Sequence, residues 1–193
     1  MLEIHTDASS KVYAGRDWHS DVSCDEEPPA ASILCLNVVP ESGGDTMFSN
    51  MYAAYDALSS PMKKLLDGLS ALHGSERNYR GYFGQQPDEM RDGEYPESVH
   101  PVVRTHPETG RKALFVNALF TEHIVDVTES ESEALLSFLY RHVAEPRFQC
   151  RFKWEKDSIA IWDNRCSMHR ALWDYHPQTR SGYRVTVLGD RPV

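Results

Sequence analysis

Trp18-His19-Ser20-Asp21-Val22-Ser23, followed after a short loop by the apolar run Ala31-Ser32-Ile33-Leu34-Cys35-Leu36-Asn37-Val38-Val39, is where the reading of this chain starts. Side chains at i and i+2 of an extended segment point the same way. An extended stretch over residues 18–23 therefore sets the His19 imidazole and the Asp21 carboxylate on one face. The polar, proline-ended loop at 25–29 leads into a buried strand over 31–39. His-x-Asp is common by chance, and its weight here comes from His169, far along the chain. Ile161-Trp162-Asp163-Asn164-Arg165 before it reads as a strand end and a polar turn that presents this second imidazole, with Asp163 and Asn164 shaping the turn through side-chain to backbone bonds. Two imidazoles and one carboxylate on one side of an ion leave the opposite coordination positions open. That is the ligand set of a non-haem Fe(II) oxygenase.

Outward from these residues the chain reads as many short strands and few helices. Strands are expected at 2–5, 46–48, 101–105, 113–117, 148–154, 159–163 and 183–188. Asn50 or Ser49 caps a helix to Leu58, and Ser59 with Pro61 opens another to Leu69, in which Met62, Leu65, Leu66 and Leu69 form a core stripe. Thr128 caps an amphipathic helix over 129–142 with acids in its first turn. Residues 74–98 are long, polar and rich in Gly, Tyr and Arg, the character of a covering loop; Tyr79, Tyr82 and Phe83 are its aromatic residues. No repeat or linker divides residues 1–193. The expected fold is mainly β with flanking helices, one double-sheet jelly-roll domain (a double-stranded β-helix). A doubly wound α/β fold fits poorly, because helices and strands do not alternate and no G-x-G-x-x-G is present.

Composition narrows the partners. A net charge of −9 argues against a non-specific nucleic-acid binder. No apolar run is long enough to cross a bilayer and no secretory pattern follows Met1, so a cytoplasmic protein without membrane association is expected. The cysteines, Cys24, Cys35, Cys150 and Cys166, match no zinc module and read as reduced thiols, with Cys35 and Cys150 as small core residues.

An oxygenase that uses 2-oxoglutarate needs an anchor for the cosubstrate's far carboxylate. A guanidinium fork suits this best, with a hydroxyl donor beside it. Arg180 and Thr46 are the candidates. Here the chain resembles the taurine dioxygenase family of Fe(II)/2-oxoglutarate-dependent enzymes, which includes phenoxyacetate and alkylsulfate dioxygenases. The resemblance rests on Trp18-His19-Ser20-Asp21, Gly43-Gly44-Asp45-Thr46, His100-Pro101-Val102-Val103-Arg104-Thr105-His106-Pro107, Leu114-Phe115-Val116-Asn117, the run 131–138 and Trp162-Asp163-Asn164-Arg165. It implies that His19, Asp21 and His169 ligate iron, and that Thr46 and Arg180 hold 2-oxoglutarate. It further implies that Arg184 holds an anionic substrate, that Val22 and Phe120 line its pocket, and that O2 is consumed. His100 and His106 read as structural. Members of that family carry a longer stretch before His-x-Asp than the 18 residues here, so the jelly roll is expected to lack its N-terminal part. Two consequences follow as expectations: self-association at an incomplete sheet edge, or, as the alternative to an enzyme, a non-catalytic metal-binding or scaffold domain.

Overall fold

The computed structural model describes residues 1–77 and 95–193. Strand β2 (Ala31–Val38) alternates strictly: Ser32, Leu34 and Leu36 are buried, while Ile33 and Cys35 sit on the other face. Such a strand needs neighbours on both edges and a second layer on its apolar side. It pairs antiparallel with β10 (Ile159–Asp163) and with β12 (Arg180–Val187), and β12 pairs with β1 (Leu2–Thr6), giving the order β1-β12-β2-β10. Opposite lies a second antiparallel sheet, in which β3 (Thr46–Asn50) runs between β11 (Ser167–Ala171) and β9 (Gln149–Phe152).

Leu34, Leu36, Ala160, Trp162 and Trp154 fill the space between the sheets, with Phe48 and Phe152 packed against them. This is the expected two-sheet jelly roll. Gly182 on β12 is required by that packing: a Cβ there would fall on the Cys35 carbonyl oxygen, which only glycine avoids.

A second core lies behind the first. It joins α1 (Met51–Asp56), α2 (Ser60–Leu66) and α3 (Glu129–Val143) to the hairpin β6 (Val103–Thr105) and β7 (Lys112–Leu114). A third sheet adds β5 (Glu97–Pro101), β4 (Ser70–Gly74) and β8 (Thr121–Ile124). Asn50, Ser59 and Thr128 stand at the three helix N-termini. The Asn50 and Ser59 side chains accept a backbone N–H, and Glu131 reaches back to the Thr128 N–H.

Four sequence expectations change. Residues 18–23 form no regular strand: only His19 makes a β-bridge, and a turn starts at Asp21. The Leu65 side chain is exposed because it falls on the solvent face of α2, whereas Leu66 points into the core. Cys35 is half-buried on the face of β2 away from the sandwich core, and Cys150 is exposed although it shares the face of Phe48 and Phe152, so neither is a small core residue. Residues 146–148 form a 3-10 turn started by Pro146, so that strand begins at Gln149. Of the expected covering loop at 74–98, Gly74 ends β4 and Glu97 opens β5, while Tyr79, Tyr82 and Phe83 lie outside the described residues.

Candidate metal and cosubstrate site

The two ends of the chain meet at one backbone bridge. His19 N–H donates to the His169 carbonyl at 3.0 Å, and His169 N–H returns a bond to the His19 carbonyl at 2.8 Å. The pair sets the two rings side by side, with centroids 4.2 Å apart. His169 is central in β11, opposite Phe48 of β3, and its ring packs on Trp162 at 4.7 Å between centroids. The His19 ring is steered from outside. Its Nδ1 lies 2.8 Å from the Asp17 carbonyl, which fixes the proton on Nδ1 and leaves the Nε2 lone pair free. Gly15 (φ +78°) passes so close that a Cβ there would stand 3.2 Å from His19 Cε1.

Asp21 enters from the turn. Its Oδ2 accepts from Ser32 Oγ at 2.6 Å, and Asn164 Nδ2 donates to that same hydroxyl. Its Oδ1 faces His19 Nε2 at 3.7 Å and His169 Nε2 at 3.8 Å. The same oxygen accepts from Arg184 Nη1. The three side chains offer one ligand atom each within 4.8 Å of one another, and all are buried.

Their protonation suits a cation. Burial lowers the His19 pKa and pushes His169 down to about 3, so both imidazoles are neutral at pH 7. Burial works against the Asp21 carboxylate, but the Arg184 guanidinium, the Ser32 hydroxyl and, when protonated, the neighbouring imidazoles outweigh it and hold the pKa below the usual range. Two neutral imidazoles and an ionised carboxylate are what a divalent ion requires of its ligands. His169 Nδ1 is buried, with no hydrogen-bond partner among the described residues. The donor set fits a ferrous ion.

Thr46 stands on the rung of the β3–β11 ladder opposite Ala171, two residues from the Phe48–His169 rung and on the same face. Its Oγ1 accepts from Trp154 Nε1 at 3.0 Å. Arg180 packs on the same indole, 5.7 Å from the ring centre, and its Nε donates to the Gly44 carbonyl at 3.0 Å. Arg180 is only 5% exposed, yet among the described residues it pairs with no carboxylate; the adjacent Asp45 is engaged by Arg151. Burial lowers its pKa, with Tyr175 and Asp45 opposing. A buried guanidinium without a counter-ion is costly, and a bound carboxylate would relieve that cost.

Arg184, an even number of residues along β12, shares the face of Arg180 and holds Asp21. Val22 is half-buried with φ +46°, and Phe120 is buried, its N–H bonded to Asn117 Oδ1 at 2.9 Å. His100 and His106 are buried hydrogen-bonded side chains: His100 Nε2 meets the Asp25 carbonyl and His106 Nε2 meets Asp163. In the turn after β10, Arg165 N–H donates to Asp163 Oδ1 at 2.8 Å as expected, whereas the Asn164 side chain bonds side chains instead, accepting from Trp162 Nε1 and donating to Ser32 Oγ. Sequence reading passed over Ser32, Trp154 and the Asp17 carbonyl. Ser32 left one signal, a lone hydroxyl on the inward face of an apolar strand.

The class that fold and site define is a double-stranded β-helix with a buried two-histidine, one-carboxylate cluster between its sheets. Residues 3–186 match the model of the taurine catabolism dioxygenase TauD, TfdA family, and the chain belongs to that family. It is 37% identical over 178 residues to an alpha-ketoglutarate-dependent sulfonate dioxygenase of Saccharomyces cerevisiae, covering 91% of this chain and 43% of that protein. The crystal structure of a taurine dioxygenase from Burkholderia xenovorans superposes with a TM-score of 0.79 at 41% identity, over 91% of this chain and 58% of that one. A crystal structure of AAD-2 in complex with Mn(II) and N-oxalylglycine gives 0.79 at 35% identity, over 91% and 69% of the two chains. The chain spans about half the length of curated relatives it matches.

Proposed function

We propose that this chain is the metal-binding jelly roll of an Fe(II)- and 2-oxoglutarate-dependent dioxygenase acting on a small organic anion: a sulfonate, a sulfate ester or a carboxylate. The observation that carries the reading is the convergence of His19 Nε2, His169 Nε2 and Asp21 Oδ1, all buried and all in the protonation state a divalent ion needs. These three side chains would hold iron. Held there with 2-oxoglutarate and O2, iron would supply oxidative decarboxylation to succinate and CO2 coupled to hydroxylation of a substrate carbon.

The protein's own residues bind, orient and exclude water. Arg180 and Thr46 receive the far carboxylate of the cosubstrate, and Trp154 fixes both by donating to one and stacking on the other. Arg184 is the cation for the substrate's anionic head. Val22 and Phe120 belong to the pocket wall in this reading. Ser32 holds Oδ2 of Asp21 so that Oδ1 faces the imidazoles. The β scaffold makes these positions rigid, which matters because a small misplacement of the reacting carbon costs rate. The sulfonate and taurine named for the two relatives support an anionic substrate. No helix among the described residues is long and apolar enough to cross a membrane.

The test is anaerobic addition of Fe(II) and 2-oxoglutarate. A weak visible charge-transfer band is expected, absent in His169→Ala, and succinate release should then rank sulfonates, sulfate esters and carboxylates. Failure of the wild-type chain to develop the band removes the proposal. A band without succinate release from any anion would select a metal-binding domain without turnover instead. Self-association belongs to the proposal as well. Ile159, Ile161, Val185 and Val187 expose apolar side chains on the outer face of the four-stranded sheet. Light scattering that finds only monomer would remove this part.

A further inference from the structure

Asp21 is followed by a residue in a conformation its side chain disfavours. Val22 has φ +46°, in the left-handed region, where a β-branched residue is a true outlier. The turn closes with Asp25 N–H donating to the Val22 carbonyl at 3.1 Å. Such strain persists only when its surroundings over-determine the geometry. Here the surroundings can be named. Ser23 Oγ accepts from Asn117 Nδ2 at 2.9 Å and lies 3.0 Å from His73 Nδ1. His100 Nε2 grips the Asp25 carbonyl at 2.9 Å. Ser23, His73, His100 and Asn117 are all at most 2% exposed. These clamps come from the third sheet and the segment after β7, far from residues 19–21 in sequence. None of them touches the cluster of His19, Asp21 and His169 directly.

Asn117 also reaches further. Its Oδ1 accepts from the N–H groups of Leu119 and Phe120, at 3.2 and 2.9 Å. One carboxamide thus ties the Asp21 turn to the segment that carries Phe120.

Resting on the metal-site reading above, we propose that Ser23, His73 and Asn117 are positioning residues: their clamp holds the Val22 turn in its strained form, and through it keeps Asp21 Oδ1 aimed at the two imidazoles. Without the clamp, a valine at this position relaxes toward negative φ and carries the adjacent Asp21 backbone with it. A glycine would not, because it adopts positive φ without steric cost.

The difference between Val and Gly gives a test with a readout other than turnover. Mn(II) binding is titrated calorimetrically in the intact chain, with thermal unfolding followed in parallel. Asn117→Ala should weaken Mn(II) binding roughly tenfold, the low end for loss of a group that supports a metal ligand. Adding Val22→Gly to Asn117→Ala should recover most of that loss. Adding Val22→Ala should not, because alanine keeps the Cβ that opposes the turn. Ser23→Ala is a milder lesion of the same clamp, and the same pair of second substitutions applies to it should Asn117→Ala not fold. An Asn117→Ala chain that binds Mn(II) like the wild type overturns the inference. So does a loss of affinity that Val22→Gly leaves uncorrected, which would make the network a matter of general packing. A wild-type chain that binds no Mn(II) defeats the metal-site reading itself, a separate and recognisable result.

Discussion

Acidification from pH 7.5 to 5 should destabilise this protein through His73, by an amount that one substitution can isolate. His73 is fully buried, stacks on Phe115 with ring centroids 5.5 Å apart, and meets His100 edge-on. Burial, assisted by His100, pushes its pKa down to about 3 from the ordinary 6.5. The unfolded chain therefore binds a proton on this residue below pH 6.5, while the folded chain stays neutral until about pH 3. Stability contributed by the neutral ring is intact above 6.5 and is lost as the pH falls toward 3. Linkage gives the magnitude: at pH 5 the loss is 2.303RT times the 1.5-unit distance below 6.5, about 2 kcal/mol. His19, His100 and His169 shift in the same direction, so the total fall of the wild type is larger than the share of His73. His73→Gln is neutral at every pH and isolates that share. Urea unfolding at pH 7.5, 6 and 5 should show the wild type losing about 2 kcal/mol more than the variant, a relative midpoint shift of about 1 M for a urea slope near 2 kcal/mol/M. Parallel pH dependence in the two proteins would refute the assignment of a buried, neutral His73.

Leu36→Ala opens a cavity between the two main sheets, where Leu36 is completely buried, and should cost about 2–5 kcal/mol in chemical denaturation. Gly182→Ala places a methyl on the Cys35 carbonyl of the neighbouring strand; backbone cannot yield as a side chain would, so insoluble expression or a large drop in unfolding temperature is expected. Arg184→Gln removes the cation that shares Asp21 Oδ1 with the candidate metal position, so Mn(II) should bind more tightly in calorimetry while affinity for sulfonate and sulfate anions falls. An unchanged Mn(II) affinity would mean that the ion pair and the metal do not compete.

Periodic stretches and capped helices were legible without coordinates. The alternation of residues 31–38, the strand at 159–163 and the Thr128-capped helix all follow from local side-chain chemistry, and they appear where expected. The His-x-Asp pair and the distant histidine were also named from sequence, and the fold brings the three side chains together. Residues 18–23 failed as a strand because, among the described residues, they have no ladder partner beyond the His19–His169 bridge, and partners are not a local property. Strand β4 escaped notice because a five-residue run containing His73 and Gly74 carries little β propensity; its pairing with β5 and β8 makes it a strand.

What the amino-acid order settles by itself is the inventory: two imidazoles and a carboxylate able to take a divalent ion, an arginine and a threonine able to take a carboxylate, and enough short amphipathic strands for a two-layer sandwich. Tertiary structure alone decides how that inventory is aimed. The shared Oδ1 of Asp21, the proton fixed on His19 Nδ1 by a backbone carbonyl, the indole linking Thr46 to Arg180 and the clamped turn at Val22 each depend on groups distant in sequence. Direction and protonation are set by what surrounds a side chain in space, and burial creates those surroundings only once the sheets have closed.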